Sequence, residues 1–202
     1  MWIPPDFPKY ERVSREVRAL LRRYSEDVTP YSIDEAALIL DVEEAAAART
    51  TAERVQLALK EELGLPASIG IATTRVVAKI ATDRAKPGGV LLVRPDEVAA
   101  FVAPLSVRAV PGVGPKTEEL LRAHGVTTVG ELAGHRSQEF ARTLGSFGRE
   151  LIALARGRPI EEAETPGGPR SRSTDRTFGE DVGRWEELEP AIRKLAKDLG
   201  AA

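Results

Sequence analysis

The sequence predicts an α+β protein in which a partial α/β region over residues 1–103 precedes a small all-helical region over residues 104–160. Helical and strand-like patterns alternate through the first region, whereas short helical pieces, each punctuated by glycine, fill the second. Residues 161–170 are polar and contain Pro and Gly, which is typical of a linker. Residues 171–202 predict one strand followed by one helix, and two such elements cannot bury a core of their own.

The first region opens with an amphipathic helix over residues 8–24, whose apolar residues recur at i, i+3 and i+4. Residues 28–33 and 36–42 are rich in strand formers and predict two extended segments or one bent one. A second helix is predicted over residues 43–63, and Gly64 ends it.

The rest of this region continues the alternation. Residues 68–72 predict a short strand, and Thr73 or Thr74 can cap a helix that runs to about Ala85. A buried strand follows over residues 90–93. Helix, strand, helix and strand in this order predict an α/β sandwich for the first hundred residues.

Composition excludes several kinds of site. The chain has no cysteine and two histidines, so disulfides, thiolate metal sites, cysteine nucleophiles and histidine-rich metal sites are excluded. No apolar run approaches the roughly 20 residues that cross a bilayer, and no apolar signal core stands at the start. We therefore expect a cytoplasmic protein with no membrane partner.

The formal net charge of −2 hides a segregation of charge along the chain. Residues 28–65 carry eight acids against three bases, a net of −5, whereas residues 66–94 carry five bases against one acid, a net of +4. Such blocks form either solvated helix faces or functional surfaces, and only motifs separate the two.

Two adjacent carboxylates, Asp34 and Glu35, interrupt the first pair of strand-like segments. A divalent metal such as Mg²⁺ is a natural partner for them, because it prefers oxygen ligands and binds one or two carboxylates plus substrate phosphates. Side chains alternate along a strand, so both can reach one ion only across a bend. The alternative is that both acids lie at a solvent-exposed hairpin tip. The Asp34-Glu35 pair, considered alone, favours this alternative.

A line of cations follows on the predicted third helix. Arg75, Lys79 and Lys86 fall at i, i+4 and i+11, along one stripe near a strand-to-helix junction, and such a stripe could hold phosphates. The alternative is a solvated face on which Lys79 pairs with Asp83 at i+4.

The segment Val110-Pro111-Gly112-Val113-Gly114-Pro115-Lys116-Thr117 is the most specific motif. Its glycines allow close backbone approach, and the unpaired amides of the following helix can bind a phosphate without reading sequence. This pattern is typical of the helix-hairpin-helix of non-specific DNA binders. Residues 144–149 are either a second, degenerate copy or one helix end followed by a new helix start.

The order and spacing of these three motifs resemble the Y-family translesion DNA polymerases of the DinB type. In that family a Ser-Ile-Asp-Glu-Ala segment supplies palm carboxylates, a Gly-Ile-Ala…Ala-Lys-Pro segment follows, and a thumb carries the hairpin motif. The corresponding segments here are residues 32–36, 70–87 and 110–117. The resemblance covers nearly the whole chain and implies a partial palm (1–103), a thumb (104–160), a linker (161–170) and the start of a little-finger domain (171–202).

The resemblance also implies roles for individual residues. Asp34 and Glu35 are expected to be catalytic ligands of Mg²⁺, although they supply only part of a site. Lys86, with Arg75 and Lys79 on the same stripe, is expected to bind the triphosphate of a deoxynucleotide. The expected DNA-binding residues are Gly112, Val113, Gly114, Lys116, Thr117, Arg172 and Arg176.

The chain departs from the family pattern in several places. Thr74-Arg75 replaces the usual Asn-Lys, and Ala37 and Ile39 replace a common aromatic and Asp. We find no counterpart of the first palm strand, with its catalytic Asp, or of the fingers, and little of the little finger. We therefore expect a polymerase part that is truncated at both ends and has little or no activity alone.

Three functional hypotheses follow. The first is a part of a DNA-directed DNA polymerase in translesion synthesis and DNA repair, with primer–template DNA and deoxynucleoside triphosphate as partners. A sliding clamp is a possible further partner, through a region not matched here. The second is a non-catalytic, sequence-independent DNA-binding or scaffolding protein. The third is a reading frame taken from a longer polymerase gene.

Overall fold

The structure is a computed structural model that describes residues 4–42, 44–136, 140–158 and 173–200. The chain divides into two compact units, Met1–Ile160 and Glu161–Ala202. The predicted linker over 161–170 lies outside the described residues. One hydrophobic core runs across residue 103, from Val77 and Val93 to Leu121 and Ile152. The predicted division of the chain into two regions at that residue stays a prediction.

The first unit begins with elements whose ends follow local signals. They are α1 (Phe7–Leu21), β1 (Val28–Pro30), β2 (Ala36–Leu38), α2 (Ala45–Leu63), β3 (Ile69–Ile71), α3 (Arg75–Ala85) and β4 (Val90–Leu92). The Thr74 hydroxyl accepts a hydrogen bond from the Val77 amide at 3.4 Å, so Thr74 is the cap of α3. Gly64, with φ +68°, ends α2 in the left-handed conformation that glycine tolerates best.

The strands form two separate pairs. β1 and β2 are antiparallel, with Val28 opposite Leu38 and Pro30 opposite Ala36. β3 and β4 are parallel, and α3 is the crossover between them. Among the described residues these two pairs do not join, so the predicted α/β region contains two small sheets. Hydrophobic patterning predicts strands but not their partners, which is why the sequence did not reveal this division.

The remainder of the first unit is helical, as predicted. Its helices are α4 (Val98–Val102), α5 (Pro115–Ala123), α6 (Ala141–Leu144) and α7 (Ser146–Ala155). Short 3₁₀ turns lie between α4 and α5 and between α5 and α6, and Gly145 alone separates α6 from α7. Its described residues form no strand beyond one isolated bridge between Ser106 and Thr128. A smaller core around Leu20 and Leu59 packs α1 against α2.

The second unit contains the predicted helix, α8 (Trp185–Gly200). The predicted strand over 171–178 is wrong in its described part, since residues 173–178 are irregular. A strand requires a hydrogen-bonded neighbour, and residues 173–200 offer none. None of the described helices of either unit is long and apolar enough to cross a membrane.

Candidate active site and nucleic-acid interface

The two predicted metal-ligating carboxylates lie at the tip of the β1–β2 hairpin. The Tyr31 and Ser32 amides donate to the Glu35 carbonyl at 2.8 and 3.2 Å, which closes the tip. The Ser32 hydroxyl donates to Asp34 Oδ1 at 2.6 Å and accepts from the Glu35 amide at 3.1 Å. Asp34 and Glu35 are both exposed at this bend. Sequence reasoning did not predict these contacts of Ser32, although a serine shortly before such a turn is a known turn-forming signal.

The cationic stripe of α3 meets this tip. The Lys79 ammonium donates to the Glu35 carboxylate, and Arg75 Nη1 donates to the Tyr31 hydroxyl at 3.1 Å. The structure therefore brings together two motifs that the sequence separates by about forty residues. We call the charged side chains gathered here the charged edge: the exposed Asp34, Glu35, Asp83 and Lys86, and the half-buried Arg75 and Lys79.

Four of these side chains alternate in charge. Lys79 Nζ lies 3.4 Å from Asp83 Oδ1, and the same oxygen accepts from Lys86 Nζ at 2.7 Å. Donation to Glu35 raises the pKa of Lys79 above its ordinary value. The hydrogen bond from Lys86, reinforced by Lys79, lowers the pKa of Asp83. The predicted i+4 pair of Lys79 with Asp83 is thus present beside the tertiary contact of Lys79 with Glu35.

The donor chemistry of Asp34 and Glu35 suits a hard divalent cation. No cluster of three side chains able to hold a metal occurs among the described residues, however. Asp34 and Glu35 are the two predicted ligands, which we call the partial ligand set, and their metal-binding role stays a prediction.

A second site is built around the segment 110–114, which we call the glycine turn. Gly112 has φ +91°, and a Cβ built there would lie 3.0 Å from Phe147 Cζ of α7. Gly112 is therefore required both by its backbone conformation and by the ring packed against it. Gly114 has φ −84° and open space around its Cα. Val113 between them is buried and anchors the turn in the core.

The helix that follows the glycine turn presents free backbone donors. Gly114 precedes α5, Pro115 is its first residue, and the first bond to the cap joins the Glu118 amide to the Gly114 carbonyl at 2.9 Å. Among the described residues, the amides of Lys116 and Thr117 have no acceptor. Unpaired amides at a helix N-terminus, with an exposed lysine beside them, suit a phosphate group.

Arg108 supports the glycine turn and was missed by sequence reasoning. Its Nη1 donates to the Val113 carbonyl at 2.8 Å, and its Nε lies 3.5 Å from Glu118 Oε2. No local pattern could have predicted these contacts, since they depend on how the turn folds back over its preceding 3₁₀ turn (Val107–Ala109).

The possible second copy of the hairpin motif is a helix–glycine–helix junction. α6 ends at Leu144, Gly145 adopts φ +60°, and α7 begins at Ser146. Both alternatives predict this geometry, so the choice between them stays open. The predicted DNA contact Arg172 lies outside the described residues. Arg176, in the second unit, is exposed, and its Cζ lies 5.2 Å from the centre of the Phe178 ring.

The comparisons with known proteins agree with these motifs. The model of the impB/mucB/samB family matches residues 1–83, and that of the IMS family HHH motif matches residues 95–126. DNA polymerase IV of Methanoculleus marisnigri is 42% identical over 98% of this chain and 56% of its own length. DNA polymerase IV of Stenotrophomonas maltophilia is 41% identical over 97% of this chain and 54% of its own length.

Solved structures give the same result. DinB from Sulfolobus solfataricus superposes with a TM-score of 0.70 at 25% identity, over 77% of this chain and 47% of that chain. An insertion ternary complex of Dbh DNA polymerase superposes with a TM-score of 0.73 at 26% identity, over 80% of this chain and 48% of that chain. This chain spans about half the length of the curated relatives it matches.

Proposed function

Because this chain belongs to the Y-family DNA polymerases of the DinB type, we propose that it forms palm and thumb parts of a translesion and repair polymerase. The reaction is metal-dependent nucleotidyl transfer onto a DNA primer. The observation that carries this proposal is the charged edge, where the Asp34–Glu35 tip and the α3 cations meet. A purely DNA-binding protein has no need of that arrangement, so the non-catalytic alternative is not favoured.

At the charged edge, Asp34 and Glu35 would hold Mg²⁺ together with ligands supplied by the substrate and by other residues. Such an ion supplies charge stabilisation for the attacking and leaving oxygens of phosphoryl transfer. Lys86, Arg75 and Lys79 would bind the triphosphate of the incoming deoxynucleotide. Their role is to orient the phosphates and offset their negative charge.

At the glycine turn, the amides of Lys116 and Thr117 and the Lys116 ammonium would bind the DNA backbone. Gly112, Val113 and Gly114 shape that contact, and Arg172 and Arg176 would add further phosphate contacts from the second unit. Contacts to phosphates position DNA without reading its sequence. Binding should therefore be independent of sequence and should weaken steeply with salt.

The partial ligand set at Asp34 and Glu35 implies slow chemistry for these 202 residues alone, since loss of a core catalytic group costs orders of magnitude in rate. In a primer-extension assay we expect no incorporation above background. Clear incorporation by the pure chain would contradict this part of the proposal. A cytoplasmic location and a sliding-clamp partner belong to the same proposal, and co-elution with a purified clamp tests the latter.

DNA binding at the glycine turn can be tested with Gly114→Asp. The position has open space and Asp is a favoured helix cap, so the variant should fold. Its negative charge should nonetheless repel phosphate and weaken binding of a fluorescent primer–template about tenfold in anisotropy titrations. Gly114→Ala adds neither a charge nor an acceptor for the Lys116 and Thr117 amides, and it serves as the control. Equal affinities for the two variants would argue against a phosphate contact here.

Triphosphate binding separates the polymerase proposal from the alternative of a DNA-binding scaffold. A fluorescent deoxynucleotide with Mg²⁺ should bind the unmodified chain and should bind Lys86→Ala several-fold more weakly. DNA affinity measured at the glycine turn should stay unchanged in that variant. A scaffold without a nucleotide site would show no saturable triphosphate binding in either protein.

A further inference from the structure

One lysine of the charged edge stands between two carboxylates. The Lys79 ammonium donates to Glu35, which lies 44 positions away in sequence, and lies 3.4 Å from Asp83 Oδ1 on its own helix. Glu35 is one of only two carboxylates that the hairpin tip offers to a cation. One of the two carboxylates that the hairpin tip offers to a divalent ion is therefore already paired with a charge of the protein itself.

The ion pair between Lys79 and Glu35 is weak enough to be exchanged for another partner. The side chains of Lys79 and Glu35 are 35% and 44% exposed, so water screens their attraction. Exposed ion pairs of this kind change an equilibrium constant by roughly one- to fivefold. A lysine side chain is long and flexible and carries three donors, so its ammonium can move between neighbouring acceptors. Asp83 is such an acceptor and already lies beside it.

We propose that Lys79 is a displaceable counter-ion of Glu35, a positioning residue that holds this carboxylate until a divalent cation takes it. With no triphosphate bound, Asp83 receives the ammonium when it leaves Glu35. The inference rests on the proposed function in one respect, namely that Asp34 and Glu35 bind the cation. It predicts that Lys79 lowers, and Asp83 restores, the affinity of the charged edge for divalent ions.

The test is direct binding of Mn²⁺ to the full 202-residue chain, followed by the paramagnetic resonance signal of the free ion. Lys79→Met should lower the Kd for Mn²⁺ by about two- to fivefold, because Glu35 no longer has a competing partner. Asp83→Asn should raise the Kd, since Lys79 is then left to Glu35 alone. Thermal melts followed by circular dichroism establish that each variant is folded.

A change in the general electrostatic field would shift the Kd in the same directions, so a double variant is needed. If Asp83 acts through Lys79, adding Asp83→Asn to Lys79→Met should leave the Kd of the single variant nearly unchanged. Arg84→Met is the matched control. It removes a positive charge from the same helix at a residue that makes no ion pair within the described part of the chain, and it should change the Kd less than Lys79→Met.

The outcomes separate the inference from the proposed function. Equal Kd values for the unmodified chain and Lys79→Met, an equal effect of Arg84→Met, or fully additive effects in the double variant would overturn the inference alone. Mn²⁺ binding that survives Asp34→Asn combined with Glu35→Gln, or no binding by any variant, would overturn both the inference and the metal part of the proposed function.

Discussion

The charged edge and the glycine turn both offer groups suited to phosphate, but they are built in different ways. At the charged edge the groups are exposed or half-buried side-chain charges that form ion pairs, such as Lys86 with Asp83 at 2.7 Å. At the glycine turn they are backbone amides, held by the buried Val113 and by the Phe147 ring against Gly112. Side-chain changes at the charged edge should therefore alter binding more than stability. Changes at the glycine turn should alter the shape of the backbone and hence stability.

The largest expected effect lies beneath the charged edge, at Gly70 of β3. A Cβ there would lie 2.1 Å from the Ala78 carbonyl oxygen of α3, so Gly70→Ala must push the helix off the strand. We expect the free energy of unfolding in urea to fall by about 3 kcal/mol or more. Gly134→Ala, at a site with open space, should change it by less than about 0.5 kcal/mol. Comparable losses in both variants would show that α3 does not pack as closely as described.

Gly112→Ala should give the next largest loss. A φ of +91° is unfavourable for alanine, and the new methyl group would press on Phe147. We therefore expect the free energy of unfolding in urea to fall by about 1–2 kcal/mol. Gly114→Ala is the matched control because φ is −84° and space is open, and its loss should be smaller. A reversed order of the two losses would contradict the geometry of the glycine turn.

A pH-dependent effect is expected at Glu131, in the turn that follows α5. Its Oε2 accepts from the amides of Thr128 at 2.9 Å and Thr127 at 2.6 Å, and these bonds lower the pKa of Glu131 to about 2. A carboxylate whose pKa is lowered by folding stabilises the protein at any pH above its pKa in the unfolded chain, about 4.3. That stabilisation is lost as the pH falls toward 2.

The urea midpoint of the unmodified chain should therefore fall more steeply between pH 5 and pH 2 than that of Glu131→Gln. Glu119→Gln is the control, since the Glu119 carboxylate accepts no hydrogen bond among the described residues. Identical pH profiles for the unmodified chain and Glu131→Gln would rule out this contribution.

The smallest effect is expected at the charged edge itself. Lys79→Met removes an exposed ion pair and should change the free energy of unfolding by less than about 1 kcal/mol. Arg122→Met, which removes the exposed pair with Glu118 on α5, should behave alike. A loss of several kcal/mol in Lys79→Met would show that the charged edge supports the fold as well as binding.

Much of the secondary structure is predictable because the ends of its helices depend on interactions between residues close in sequence. Thr74 caps α3 through a bond to a residue three positions on, and Gly64 ends α2 by its own conformation. Helices α1, α2, α3 and α8 and strands β3 and β4 lie where periodicity placed them, to within a few residues. The predicted strand over 171–178 is wrong in its described part, residues 173–178, because a strand needs a partner and local patterning does not name one. For the same reason the separation of the strands into two pairs was not predicted.

The candidate site shows the same division. The sequence by itself determined which chemistry is present: two adjacent carboxylates, a stripe of cations at helical spacing, and a glycine turn before a helix that begins with proline. Only the tertiary structure decided that Lys79 meets Glu35, that Phe147 closes over Gly112, and that Arg108 holds the Val113 carbonyl. The physical reason is range. Propensity, capping and turn conformation act over a few residues, whereas these contacts exist only after burial of the apolar core has brought distant segments together.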